Sequence, residues 1–345
     1  MIVFNMLFTI IVTTECNLHC RYCGGKLGGM PSQIQYSLKD LQNFVKQDSN
    51  PIVAFYGGEP LLEPEIIKKM INVLPAKRFV LTTNGTGIHK LENYIKRIDT
   101  VLFSIDGRPE TTDYYRGKNS TARIFKGLEF LKRQNYSGEI IARMTVSHRS
   151  DIYPDAMYLL DFFPFVHWQL DVIWSKMWDL DKFRTWTIES YKPGLVKLVD
   201  FWVYELKQNH LVGIVPFLGI VSRMLNGGKN IPCQAGTDAV AVATDGKILA
   251  CPIASDFEWN ILGNFKGYNK IFIGEPCRSC SIYQICGGRC LFSYKERLWN
   301  NEGFREICKI TKFLVNKLAK HKKLYETKKN QLLYPLYNNT TEIIP

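Results

Sequence analysis

The chain has 345 residues, of which 46% are hydrophobic and 13% aromatic, and a formal net charge of +12. This composition is typical of a folded protein of about two domains, and it excludes a disordered chain. No apolar run approaches the roughly 18 residues that span a bilayer, and the amino terminus lacks the features of a secretory signal, so we expect a cytoplasmic protein.

Alternating strands and helices are predicted up to about residue 173. Most of the strands are short apolar or β-branched runs, as is typical of buried parallel strands. Amphipathic segments between them predict helices, one capped by Ser37 and one over Ser120–Gln134. Six such βα units predict a parallel sheet that closes into a barrel or part of one. The predicted strands are Leu7–Thr13, Ile52–Phe55, Phe79–Thr82, Val101–Ser104, Ile140–Val146 and Trp168–Ile173.

Three cysteines follow the first predicted strand in C-x3-C-x2-C spacing, at Cys16, Cys20 and Cys23. Thiolates favour zinc, Cu(I) or iron–sulfur clusters. Three ligands on a centre that takes four leave one position open for chemistry. The alternatives are a zinc loop or three structural thiols. However, zinc motifs favour paired C-x2-C units with a fourth ligand nearby, and the next cysteine is Cys233.

Short polar and glycine motifs recur near the carboxyl ends of the predicted strands, where ligands of parallel α/β proteins bind. Each motif alone is weak, because a Gly-Gly or Asn-Gly pair is ordinarily a turn and an arginine is ordinarily on the surface. Their shared placement on one rim is the stronger indication. They are Gly57-Gly58-Glu59 after the second strand, Asn84 after the third, Ser104 at the end of the fourth, Arg143 in the fifth, and Gln169 and Asp171 in the sixth.

The second half of the chain contains five tryptophans between Trp168 and Trp202, for which we favour a core over a peptide-binding cleft. A helix is predicted over Pro193–His210. A basic amphipathic helix is predicted over Lys309–Lys329 ahead of a polar tail, and we favour a solvated helix over a partner-binding one. Ten cysteines in an expected cytoplasmic chain favour metal ligation over disulfides. A zinc ribbon would use four of the later seven and leave three unexplained. These seven are Cys233, Cys251, Cys277, Cys280, Cys286, Cys290 and Cys308.

The first cysteine motif, with Tyr22 before its last cysteine, resembles the cluster motif of the radical S-adenosylmethionine (SAM) superfamily. The later seven cysteines resemble the SPASM domain, and the whole chain is similar to the archaeal-type peptide-modifying branch. The resemblance implies an α/β fold with a partial (β/α)6 TIM-like barrel followed by a small cysteine-rich SPASM domain. The expected divisions are a radical SAM barrel at 1–180, a helical bridge at 181–230, a SPASM domain at 231–310, and a basic helix and tail at 311–345.

The same resemblance implies the cofactors, which are S-adenosyl-L-methionine and three 4Fe–4S clusters. Glu59, with Gly57 and Gly58, would bind the ammonium group of SAM. Tyr22 would lie against its adenine, Ser104 would reach its ribose, and Arg143 would pair with its carboxylate. The implied cluster ligands are Cys16, Cys20 and Cys23 for the SAM cluster, Cys277, Cys280, Cys286 and Cys308 for an outer auxiliary cluster, and Cys233, Cys251 and Cys290 for an inner one.

The implied reaction is cleavage of SAM to a 5′-deoxyadenosyl radical that takes hydrogen from a peptide or protein, in maturation of a ribosomally synthesised peptide. The positive charge favours an acidic peptide and a small acidic electron donor such as ferredoxin or flavodoxin. No module indicates nucleic-acid or membrane binding. No general base is assigned among Glu59, Asp106 and Asp171, and we expect no amino-terminal leader-binding domain.

Two alternative functions are considered. The first is an anaerobic sulfatase maturase, which forms formylglycine. Such enzymes carry Asp after the second SPASM cysteine, whereas Pro252 follows Cys251 here. The second is a non-catalytic iron–sulfur electron-transfer protein, which would leave the Gly57–Glu59 motif and the open three-cysteine site without a purpose.

Overall fold

The computed structural model describes residues 6–23, 27–171, 177–228 and 230–332. Eleven strands and twelve α-helices lie in these ranges. The strands are β1 (Leu7–Thr13), β2 (Ile52–Gly57), β3 (Arg78–Thr83), β4 (Thr100–Ser104), β5 (Glu139–Val146), β6 (Phe165–Leu170), β7 (Gly213–Ile214), β8 (Ala239–Val242), β9 (Lys247–Leu249), β10 (Ile261–Asn264) and β11 (Gly267–Tyr268). The helices are α1 (Leu38–Val45), α2 (Pro64–Val73), α3 (Pro109–Arg116), α4 (Ser120–Arg133), α5 (Ile152–Leu160), α6 (Leu180–Trp186), α7 (Lys192–Lys207), α8 (Val215–Asn226), α9 (Tyr283–Cys286), α10 (Leu291–Glu296), α11 (Asn300–Ala319) and α12 (Lys322–Thr327).

The six strands predicted from sequence are all present, and their boundaries differ by a few residues. The sixth begins earlier than predicted, at Phe165, and its predicted end at Ile173 lies outside the described residues. The predicted cap of α1 is confirmed, because the Ser37 side chain accepts a hydrogen bond from the Asp40 amide at 3.1 Å. This bond satisfies one of the amide donors that a helix leaves unpaired in its first turn.

The chain divides into two compact units. The first comprises Met1–Ile105, Asp113–Ile141 and Gln234–Phe272. Its sheet has the order β11-β10-β9-β8-β1-β2-β3-β4. The strands β8, β1, β2, β3 and β4 pair in parallel, and β8, β9, β10 and β11 pair antiparallel. The central strand β1 is paired along both edges, with Ile10 opposite Phe55 on one side and Val242 on the other. The pairing of β1 with β8 is not among the features predicted from the sequence.

The second unit comprises Asp106–Thr112, Ala142–Cys233 and Ile273–Pro345. Four of the five clustered tryptophans are buried here, which confirms the core interpretation for them, and Trp174 lies outside the described residues. Three of their ring nitrogens find partners inside the core, as buried indoles usually do, and that of Trp186 donates to the Ser150 carbonyl at 3.4 Å. Trp168 donates to the Tyr191 hydroxyl at 2.8 Å, and Trp202 donates to the Val212 carbonyl at 2.9 Å.

The bounds of the predicted helix Lys309–Lys329 are wrong, whereas its amphipathic character is confirmed. The structure has α11 from Asn300 to Ala319 and a separate short helix, α12. A continuous apolar face explains the earlier start, because Phe304 and Ile307 extend the helical spacing of Leu314 and Leu318, and all four are buried. Among the described residues, no helix is long and apolar enough to cross a membrane.

Candidate functional site

The three-cysteine loop leaves β1 at Thr13 and lies in the first unit. The Thr13 hydroxyl accepts a hydrogen bond from the Glu15 amide at 3.1 Å and donates to the Ser32 carbonyl at 2.9 Å, which turns the chain at the strand end. None of the ten cysteines, all of which lie within the described residues, forms a disulfide. Burial raises the pKa of Cys16, although the Leu18 amide donates to its sulfur at 3.4 Å and lowers it.

Gly57 and Gly58 bring β2 against the backbone that leads into the cysteine loop. A Cβ on Gly58 would lie 2.5 Å from the Glu15 carbonyl carbon and 2.6 Å from the Thr14 oxygen. The Gly58 amide donates to the Thr13 carbonyl at 2.9 Å, and the Glu59 amide donates to the Glu15 carbonyl at 2.8 Å. These glycines therefore serve close backbone packing that positions the loop, which the sequence did not indicate.

Glu59 is 2% exposed, and its carboxylate joins the segment after β2 to the segment at the end of β3. It accepts from the Leu61 amide at 3.1 Å, from the Thr83 hydroxyl at 2.7 Å and from the Asn84 amide at 2.7 Å. Burial raises the pKa of Glu59, and these hydrogen bonds oppose that rise. The carboxylate is thus a junction between the ends of β2 and β3.

Asn84 extends this junction to the cysteine loop. Its side-chain amide donates to the Asn17 side-chain oxygen at 2.7 Å, and the Asn17 amide donates to the Thr86 hydroxyl at 3.0 Å. Asn17 lies next to Cys16, so a hydrogen-bonded chain runs from Glu59 through Asn84 to the loop. Asn84 therefore does more than form the turn expected of an Asn-Gly pair, because its side chain also hydrogen-bonds to the cysteine loop. No sequence pattern singles out Asn17.

The segment Asp113–Gly117, to which the sequence assigned no role, packs on the same loop. The Arg21 amide donates to the Tyr115 carbonyl at 2.8 Å, and the rings of Tyr22 and Tyr115 are 5.2 Å apart. The guanidinium of Arg116 lies 5.6 Å from the centre of the Tyr22 ring. Arg116 is only 7% exposed, and its charge acts to lower the pKa of Cys16. It is a buried cation beside the cysteine loop.

The structure also places two other residues that the resemblance assigns to SAM, Ser104 and Arg143, and the carboxylate of Asp106. Ser104 ends β4 in the first unit and is half-buried. In the second unit, the Arg143 guanidinium donates to the Gln169 side-chain oxygen at 2.5 Å. Asp106, also in the second unit, is fully buried and accepts from the Thr145 amide at 2.9 Å.

Four of the later cysteines line one cavity of about 260 Å³ in the second unit. Three come from the loop and short helix around α9, and the fourth comes from α11; they are Cys277, Cys280, Cys286 and Cys308. Burial, and then the neighbouring cysteines, raise the pKa of Cys277 to about 12. Burial also raises the pKa of Cys286, to about 11. Four thiols around one cavity fit the ligand set of a 4Fe–4S cluster.

The three remaining cysteines are divided between the units. Cys233 and Cys290 belong to the second unit and Cys251 to the first. The amide of Cys251 donates to the Asn260 side-chain oxygen at 2.8 Å, and the Asn260 amide returns a bond to the Cys251 carbonyl at 2.9 Å. Within the described ranges, no three His, Cys, Asp or Glu side chains are grouped closely enough to hold a single metal ion.

Comparison with known families identifies the first part of the chain. Residues 10–153 match the family profile of the Radical SAM superfamily. These residues form a radical SAM domain. The match includes the cysteine loop, the Gly57–Glu59 motif and Arg143.

Two curated relatives each match less than half of the chain. An uncharacterised protein of Methanocaldococcus jannaschii is 30% identical over 164 residues, 44% of this chain and 57% of that protein. The AdoMet-dependent heme synthase of Methanosarcina barkeri is 29% identical over 150 residues, 40% of this chain and 42% of that protein. The chain thus spans about half the length of these relatives.

Solved structures extend the likeness beyond the radical SAM domain. The structure of anSMEcpe with bound AdoMet and Cp18Cys peptide has a TM-score of 0.72 and covers 94% of this chain and 99% of its own, at 20% identity. Streptococcus suis SuiB bound to the precursor peptide SuiA has a TM-score of 0.57 and covers 84% of this chain and 73% of its own, at 16% identity. The α/β partial-barrel fold expected from sequence is therefore confirmed.

Proposed function

We propose that this chain is a radical SAM enzyme that cleaves S-adenosyl-L-methionine reductively to a 5′-deoxyadenosyl radical and abstracts hydrogen from a peptide or protein. The observation that carries the proposal is the Cys16–Cys23 loop, braced by Gly58, Glu59 and Arg116 within a radical SAM domain. Maturation of a ribosomally synthesised peptide is the function that we favour, because two proteins of similar fold have been solved with peptides bound.

Cys16, Cys20 and Cys23 would hold the SAM-binding cluster, and the two auxiliary sets of the sequence analysis would hold the others. When bound, an iron–sulfur cluster with one iron free of protein ligands supplies the electron and the coordination site for SAM cleavage. The contribution of the chain is to place the loop. Glu59 and Asn84 fix its position through Asn17, and the Arg116 guanidinium offsets part of the thiolate charge.

Partners follow from charge and from the neighbouring folds. A peptide or protein substrate is supported by the bound peptides of anSMEcpe and SuiB. The net charge of +12 favours an acidic peptide and a small acidic electron donor such as ferredoxin or flavodoxin. Raising the ionic strength should slow reduction by such a donor, because the attraction is screened.

The test is SAM cleavage by anaerobically reconstituted protein with dithionite. We expect 5′-deoxyadenosine from the native chain and none from a Cys20→Ala variant that keeps its auxiliary iron. A Cys-containing sulfatase-type peptide and the short peptides encoded near this chain should then be compared as substrates. Formylglycine in the first peptide would favour the sulfatase maturase, and a mass change only in a neighbouring peptide would favour peptide maturation. No 5′-deoxyadenosine under any condition would refute the proposal.

A further inference from the structure

Arg223, on α8 in the second unit, reaches out of its helix toward the segment that leads into Cys233. Its Nη2 donates to the Asn230 carbonyl at 2.6 Å. Its guanidinium fills the space over Gly228, where an added Cβ would overlap it. Among the described residues, its buried Nε has no hydrogen-bond partner, so hydrogen bonding alone does not account for its placement.

Asn230 in turn lies against the turn that follows Cys286. A Cβ on Gly287 would lie 2.5 Å from the Asn230 carbonyl carbon and 2.9 Å from the Ile231 nitrogen. Gly287 has a φ of 62°, and its amide donates to the Tyr283 carbonyl at 2.7 Å to close α9. The Asn230 backbone is therefore held between the Arg223 guanidinium and the backbone just after Cys286.

The positive charge of Arg223 interacts with a cysteine from each of the two segments that meet at Asn230. Its electrostatic partners include the thiols of Cys286 and Cys233. Burial lowers the pKa of Arg223, but a guanidinium keeps its proton in proteins. In the ligand sets of our proposed function, Cys233 belongs to the inner auxiliary cluster and Cys286 to the outer one. One side chain thus lies near a ligand of each.

We propose that Arg223 is a positioning residue shared by the two auxiliary clusters: it ties the segment entering Cys233 to the turn leaving Cys286, and its positive charge raises both reduction potentials. Reduction adds negative charge to a cluster, so a fixed cation in a poorly solvated site favours the reduced form of each cluster. This inference rests on the proposed function, because it requires that both auxiliary clusters form.

The experiment is a potentiometric EPR titration of the auxiliary clusters in full-length protein. A background in which the three cysteines of the first loop are replaced by alanine removes the SAM cluster signal. In that background we compare Arg223→Gln, Arg223→Lys and the control Arg305→Gln, which removes an exposed cation that lines only the outer-cluster cavity.

For Arg223→Gln, we expect the ratio of reduced to oxidised cluster at a fixed potential to fall about tenfold for both clusters, which is about 59 mV for one electron. Arg223→Lys, which keeps the charge, should recover most of that change, and Arg305→Gln should leave the inner cluster unchanged. Unchanged potentials in Arg223→Gln at full iron content would overturn the inference.

If Arg223→Gln holds neither cluster, Arg223→Lys decides. Retention of both clusters with nearly native potentials supports the inference, and equal loss of iron overturns it. Native protein without auxiliary clusters would refute both this inference and the three-cluster content of the proposed function. Normal clusters with unshifted potentials would refute this inference alone.

Discussion

Replacing Gly58 by alanine tests directly whether the Gly-Gly pair positions the cysteine loop. The new Cβ would lie 2.5–2.6 Å from backbone atoms of Glu15 and Thr14. Nine in ten real Cβ contacts are longer than 3.4 Å, and backbone offers no flexible side chain to move, so the loop ahead of Cys16 must shift by roughly 0.8–0.9 Å. A misplacement of about 1 Å in a reacting site is expected to cost roughly 100-fold in rate.

The assay is 5′-deoxyadenosine formation per iron–sulfur cluster, with iron content and EPR measured on the same sample. Gly267→Ala is the matched control, because an added Cβ there meets nothing within 4 Å. We expect cleavage to fall about 100-fold in Gly58→Ala, while the auxiliary cluster signals and the control remain at native levels. Native rates in Gly58→Ala would refute the positioning role of Gly58.

Three further predictions concern groups whose contacts the structure gives. Glu59→Gln replaces a charged acceptor, whose bond is worth about 1.5–3 kcal/mol, by a neutral one worth about 0.5–1.5 kcal/mol, so the Asn84 amide should exchange hydrogen about 5- to 10-fold faster; native exchange would contradict this. Burial raises the pKa of Cys277 to about 12, so little of this thiol is ionised in cluster-free protein at pH 8. Iodoacetamide should therefore modify Cys277 roughly 50-fold more slowly than it modifies N-acetylcysteine, even though a thiolate of higher pKa is the stronger nucleophile. Its rate should still rise between pH 9 and 11, and a plateau there would contradict the raised pKa. Ser37→Ala should destabilise α1 by about 1 kcal/mol, measured as faster exchange of the α1 amides, whereas Ser37→Gly should cost only a few tenths.

The parallel strands could be predicted because each is a short apolar run in the sequence. The start of α1 could be predicted because Ser37 with Asp40 is a typical helix-capping pattern. Leu7–Thr13 was placed correctly to the residue. The pairing of β1 with β8 could not be predicted, because the two strands are separated by more than half of the chain and β8 is only Ala239–Val242. The predicted start of helix α11 was too late, at Lys309, because Cys308 was assigned to the cysteine-rich domain, although the apolar spacing of the helix continues through Cys308.

In the candidate site, the sequence indicated the cysteines and Glu59 through their spacing but not the groups that hold them. Asn17 and Arg116 act through contacts with distant segments, and an asparagine or arginine in one sequence has no periodicity that would reveal such a contact. The need of the Gly-Gly pair for space could not be predicted from the sequence, in which such a pair is ordinarily a turn. The atoms that require the space belong to the backbone of the cysteine loop.

The central claim is that the cluster held by Cys16, Cys20 and Cys23 binds SAM at an iron without a protein ligand. ENDOR spectroscopy of the reduced protein, with SAM labelled by ¹⁵N at the amine and ¹⁷O at the carboxylate, measures this contact directly. We expect hyperfine coupling from both labels in the native chain and none in Cys20→Ala. A loaded, reduced cluster that shows no coupling to either label, or a fourth protein side chain on that iron, would contradict the account.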